Sequence, residues 1–220
     1  AARAKRELDE RLAFGDGAHR TYIHLVDGGV ADNVGMRSVL MVLELMEALQ
    51  QAGKATSFDR VRRIVVFVVN SVSSPRTHWD ESKRPPGIVD TLVQASGVPI
   101  DHFSYEAMEL LKDKQARWQS LRRLRASPEF AGSRNPAIAG DLKGPDVDLF
   151  AIDVSFAALK DKAEVEYLNG LPTSFVLSDE AVDRLRAAAG TIIMASPEFQ
   201  RLLKEGGARV VPAPSRQGPK

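Results

Sequence analysis

Residues 61–69 read Val-Arg-Arg-Ile-Val-Val-Phe-Val-Val, an almost unbroken apolar run after two arginines. A strand with one wet face alternates polar and apolar residues, whereas a strand covered on both faces does not. The run therefore predicts a central parallel strand with helices on either side. Residues 22–26 (Tyr-Ile-His-Leu-Val) form a second, shorter β-prone run. Between the two, residues 36–51 predict a helix that is apolar on most sides and buried against a sheet, closed by Gly53. Strand, helix, strand is a βαβ unit. The predicted fold class is α/β with a parallel-sheet core, the two strands adjacent or nearly so.

The length of 220 residues suits one domain or the larger part of one. A net charge of +1 gives no global field for nucleic acid, and none is expected as a partner. With no cysteine, the chain has no disulfide, thiolate metal site or cysteine nucleophile, and the compartment is left open. No apolar run approaches the roughly 18–20 residues that span a bilayer. The chain opens Ala-Ala-Arg-Ala-Lys-Arg, without an initiator Met or a hydrophobic signal core, as a processed or excised piece would.

Around the predicted core (residues 20–72) the rest reads as a helical and mixed extension over 88–205 and a polar tail over 212–220. Residues 2–13 predict a charged helix. Residues 72–87 predict a long polar loop in which His78 and Trp79 are packed or exposed loop residues. Residues 88–95 and 103–125 predict two helices parted by Gly97-Val98-Pro99, the second basic toward its end. That helix reads as core-packed with a solvated outer face; the alternative for its basic side is peripheral contact with an anionic membrane. After a Gly/Pro/Ser-rich linker over 127–145, residues 148–156 predict a strand and 159–168 a charged helix. Ser178 then caps a helix ending before Gly190, and a last helix covers 197–204.

The first β-prone run ends in Asp27-Gly28-Gly29 and continues through Val30-Ala31-Asp32-Asn33-Val34-Gly35 into the helix. A strand fixes the carboxylate at its end, and glycines without Cβ atoms let another segment or a substrate come close. The same residues also build ordinary turns. His24 lies three residues before Asp27, so strand alternation turns the two to opposite faces and argues against a triad. Asp27, Asp32, Asn33 and His24 offer hard ligands, but their spacing fits no metal motif, and no metal or cofactor is expected. Gly28-Gly29 and Gly35 do not make the Gly-x-Gly-x-x-Gly of a phosphate turn. Asp32 and Asn33 are expected to cap or brace the turn. Asn70-Ser71, at the C-terminal end of the long strand, sits where open α/β sheets bind ligands, but reads first as a polar turn.

The wording from Tyr22 to Arg37 resembles the Asp-Gly-Gly block of bacterial patatin-like phospholipases, acyl hydrolases with a serine–aspartate dyad. The Val-Val-Asn-Ser strand end, Val154-Ser155-Phe156 and the run Leu171-Pro-Thr-Ser-Phe-Val-Leu177 are similar to further blocks in one bacterial subgroup of that family. The resemblance implies an α/β-hydrolase-related core, here incomplete, with an acyl-ester lipid as substrate. It also implies that Asp27 is the proton acceptor, in a motif with Gly28 and Gly29, and that Asp32, Asn33 and Gly35 support the turn. The nucleophilic serine on its Gly-x-Ser-x-Gly elbow, and the oxyanion loop, would lie upstream. Neither occurs in these residues. The alternative is a non-catalytic α/β interaction module or a degenerate hydrolase.

Overall fold

The computed structural model describes residues 2–19, 22, 32–70, 83, 85–128, 145–172 and 174–211. Residues 23–26 of the first predicted strand lie outside that set, as do His24, Asp27, Gly28 and Gly29, most of the loop and linker, and the tail. In chain order the elements are α1 (Ala2–Gly15), α2 (Met36–Gln51), a 3-10 turn (Ser57–Arg60) and β1 (Arg63–Asn70). Then follow α3 (Ile88–Ala126), β2 (Asp148–Ser155), a 3-10 turn (Phe156–Ala158), α4 (Lys162–Asn169), α5 (Asp179–Ala195) and α6 (Pro197–Gly206). The fold is mixed α/β and mostly helical. Among the described residues, no helix is long and apolar enough to cross a membrane.

β1 and β2 pair in parallel, in register from Arg63 opposite Asp148 to Asn70 opposite Ser155. Such a pairing needs a long crossover, and α3 is part of it. Ile64, Val66 and Val68 of β1, with Leu149 and Ala151 of β2, turn to one face and pack with Met36, Leu43 and Met46 of α2 and Met108, Leu111 and Trp118 of α3. Ile152 and Val154 turn to the other face, against Ile192 of α5 and Phe199 and Leu202 of α6. Helices thus lie on both sides of β2, and its Phe150 and Ile152 are fully buried.

β1 departs from the expectation of a strand covered on both faces. Val65, Phe67 and Val69 are 37%, 44% and 66% exposed. α5 and α6 centre on β2; from α6, Phe199 meets Phe67 edge to face at 6.2 Å between ring centres, and the Glu205 carbonyl accepts from Arg63 at the start of β1. α2 also differs in part: one stripe is buried, but Met41, Val42 and Leu45 on the opposite side are exposed.

The two helices predicted around Gly97-Val98-Pro99 are one helix of 39 residues, with Pro99 inside it. Proline removes the amide that would reach the Ala95 carbonyl. Ala95 and Pro99 are both exposed, so water can satisfy that carbonyl and the helix continues. Gly190 does not end α5 either. A helical glycine costs about 1 kcal/mol, and Ile192, two residues on and 3% exposed, repays it by packing on the sheet. The stop comes at Ser196, which caps α6 ahead of Pro197. The helix predicted over 159–168 begins at Lys162, because the Asp161 carboxylate accepts from the Ala163 and Glu164 amides and fixes the start there.

Candidate functional site

α3 runs antiparallel to β2, and two ion pairs mark its register. Arg122 meets Asp148 at the start of the strand, and Lys112 lies 3.8 Å from Asp153 near its end. Ten helical residues rise about 15 Å and five strand residues about 17 Å, so the spacings match. The register puts the turn from Asp101 to Tyr105 beyond the carboxyl ends of both strands. There it closes a cleft of about 450 Å³ with Asn70, Ser155 and Asn169. Val68, Met108 and Val165 make the apolar part of the wall, and Asp101, Glu109, Lys112 and Asp153 the charged part.

Local chemistry fixes several of these groups. Ser104, only 4% exposed, donates its hydroxyl to the Ile100 carbonyl at 2.8 Å, so it closes its own helical turn. Burial pushes the Asp101 carboxyl up from its ordinary value, with His102 opposing. The hydrogen bond to Glu109 raises Lys112 against the opposing effect of burial, and the Glu109 and Asp153 charges add to the rise. Lys112 is thus held as an ammonium.

The start of α2 lies on the same side of the molecule. Gly35 takes the N-cap position in the left-handed region, at φ 68°, and has no side chain to cap the helix. Asp32 does so instead: its carboxylate accepts from the Met36 and Arg37 amides at 3.0 and 2.9 Å. A negative charge there also suits the positive end of the helix. The Arg37 guanidinium stands 5.3 Å from the Phe103 ring centre, joining this end of α2 to the α3 turn that supplies Ser104 and Tyr105 to the cleft.

Further along, α2 is clamped to α3. Glu47 accepts from Lys114 Nζ at 2.8 Å and from the Trp118 indole. Burial acts to raise the Glu47 carboxyl, but these two hydrogen bonds and the Lys114 and Arg117 charges outweigh it, so its pKa is lowered.

Asp32 and Gly35 therefore build the start of α2, and Asn33 is an exposed turn residue between them. Asp27, Gly28 and Gly29 lie outside the described residues. Asp101, Tyr105, Glu109, Lys112 and Asp153 escaped sequence reasoning. They read there as helix surface and strand filler, and Asn70 at the strand end was the one available pointer to the cleft. Among the described residues, no three His, Asp or Glu side chains come together in a way that could hold a metal ion. The basic residues of α3 are largely engaged within the chain: Lys112 with Glu109, Lys114 with Glu47, and Arg122 with Asp146 and Asp148.

In comparisons with protein-family models, curated proteins and solved structures, nothing matches this chain.

Proposed function

We propose that this chain is part of a patatin-like serine acyl hydrolase acting on a phospholipid or another acyl ester. Asp27 is the base of its serine–aspartate dyad, and the serine is supplied from outside these residues. The observation that carries the reading is the position of the α2 start. The capped turn that follows the Asp-Gly-Gly motif is linked, through Arg37 on Phe103, to the helical turn that lines a cleft at the carboxyl ends of two parallel strands, where open α/β sheets take their ligands.

In the proposed chemistry a serine hydroxyl, a poor nucleophile at neutral pH, attacks the ester carbonyl while Asp27 takes its proton. The proton returns to the leaving alcohol, and water then releases the fatty acid from the acyl-enzyme. Gly28 and Gly29 leave room for the serine turn to approach. Asp32 holds the start of α2, and through it the direction of the chain leaving Asp27. The basic end of α3, where Arg122 and Arg123 are exposed, supplies peripheral contact with an anionic lipid surface.

Labelling with a fluorophosphonate probe tests this reading. The longer protein is expected to label on one serine upstream of these residues and to turn over acyl esters. The present chain alone is expected to do neither, because it lacks the Gly-x-Ser-x-Gly elbow and oxyanion loop that supply the nucleophile and much of the transition-state stabilisation. Labelling and turnover by the chain alone, or none by the longer protein, contradicts the proposal.

A further inference from the structure

The parallel pair has two edges, and they are finished differently. The Asp148 amide donates to the Arg62 carbonyl at 2.9 Å. The even-numbered residues of both strands therefore bond across the pair, and the odd-numbered ones turn their amides and carbonyls outward. On the outer edge of β2 those groups meet side chains. The Ala151 amide donates to Gln115 Oε1 of α3 at 2.7 Å, and the Leu149 carbonyl accepts from Arg201 Nη2 of α6 at 3.4 Å. Gln115 is only 9% exposed, so it fills the place a further strand would take. Among the described residues, no side chain takes that part along β1, and Val65, Phe67 and Val69 are themselves exposed.

We propose that the open edge of β1 is a docking edge for residues 22–26 of this chain, which lie along it in parallel, in the order 22–26, β1, β2. The path of α2 sets the direction. Arg37 near its start meets Phe103, and Glu47 near its end meets Lys114 and Trp118, so α2 runs alongside α3 in the same sense. α3 is antiparallel to β2, and β1 is parallel to β2, so α2 begins at the carboxyl end of the sheet. A strand that leads into it through residues 27–35 ends there too, and so runs parallel to β1. The edges set the place. Gln115 and Arg201 shut the outer edge of β2, which leaves β1 as the neighbour. The apolar wording of residues 22–26 and 61–69 leaves the two strands adjacent or nearly so, and the edges decide for adjacent, on the side away from β2. This order makes β1 a central strand, as its unbroken apolar run reads. It also brings Asp27 to the carboxyl end of the sheet, on the far side of β1 from Ser155. What Asp27 does there rests on the acyl-hydrolase reading; the strand order does not.

Amide hydrogen exchange of the isotope-labelled chain, read residue by residue by NMR, tests the proposal. The Val65, Phe67 and Val69 amides are expected to exchange as slowly as those of Val66 and Val68, which bond to β2. Alternate residues of the added strand donate to β1, so the double variant His24→Pro, Leu25→Pro removes one donor whichever way the strand is phased. It should speed exchange at the three odd-numbered amides and leave the Ala151 amide, held by Gln115, as slow as before. If the double variant unfolds the chain, seen as lost protection at Ala151, NOEs between residues 22–26 and β1 in the parent decide, and their absence overturns the proposal. Free exchange at Val65, Phe67 and Val69 in the parent also overturns it. Protection that appears only as concentration rises gives the edge to a second copy, and protection that survives the double variant gives it to another segment; either result overturns the proposal. No ester enters the measurement. A failure of fluorophosphonate labelling therefore removes the hydrolase reading and leaves the strand order standing, and free edge amides leave the labelling test untouched.

Discussion

The two ends of the parallel strand pair use their charged groups in different ways. At the amino end, Arg122 faces Asp146 and Asp148, and Arg201 pairs with Glu198 and Glu205 while lying over the Phe150 ring. Arg63 donates to the Glu205 carbonyl. Those contacts tie α3 and α6 to the sheet. At the carboxyl end, among the described residues, Lys112 is shared between Glu109 and Asp153 beside an open cleft that Asp101 also lines. The difference separates an end whose charges lock helices to the sheet from an end that leaves an open cleft.

The largest effect on stability is expected where α2 is clamped to α3, because that clamp delivers the start of α2 to the cleft. Glu47→Ala leaves the Trp118 indole and Lys114 without their acceptor in a site where Glu47 and Lys114 are only 16% and 13% exposed. A cost of about 1–3 kcal/mol follows, read as a fall in the urea midpoint. The same carboxyl gives a pH signature. Its pKa is lowered in the folded chain, so its stabilisation is complete above the unfolded value and is lost as pH falls through the folded one. Denaturant melts repeated at falling pH should show the parent losing stability below about pH 4.3, the ordinary glutamate value. Glu47→Gln should lack that component.

A smaller effect is expected at the turn itself. Gly35→Ala meets nothing within 4 Å, so its whole cost is the left-handed backbone. That amounts to roughly 1–2 kcal/mol, with Gly35→Asn costing less, and a thermal midpoint series checks both. Smallest of all is Arg122→Ala at the amino end. Its guanidinium is 48% exposed, and a pair of that kind contributes about 0.2–1 kcal/mol. A larger loss measured in a double-mutant cycle with Asp148 would blur the contrast between the two ends.

Local signals in the sequence located most elements. The apolar runs marked β1 and β2, and Ser178 marked the start of α5. Layering was less legible. The run that reads as the more central strand, β1, leaves Val65, Phe67 and Val69 exposed, whereas β2, with two aspartates in it, is the buried strand. Apolar content reports what a strand can bury, and which strand receives the helices is decided by segments far away, here α5 and α6. Pro99 and Gly190 misled for a related reason, since the local cost of each is smaller than the packing of the helix around it. The Asp32 turn was visible because capping is local. The cleft was not, because Asp101, Lys112 and Asp153 come together only through the register of α3 on β2.

The central proposal is that Asp27 is a catalytic acid and that Asp32 supports the turn after it. Ester turnover of the longer protein, carrying Asp27→Asn or Asp32→Asn beside the parent, tests it most directly. Asp27→Asn should keep the thermal midpoint and lose activity by a factor on the order of 10²–10⁴, the worth of a positioned base. Asp32→Asn should keep most of the rate and lower the midpoint slightly, since asparagine caps a helix nearly as well as aspartate. Full activity in Asp27→Asn, or loss of activity in Asp32→Asn alone, would contradict the account.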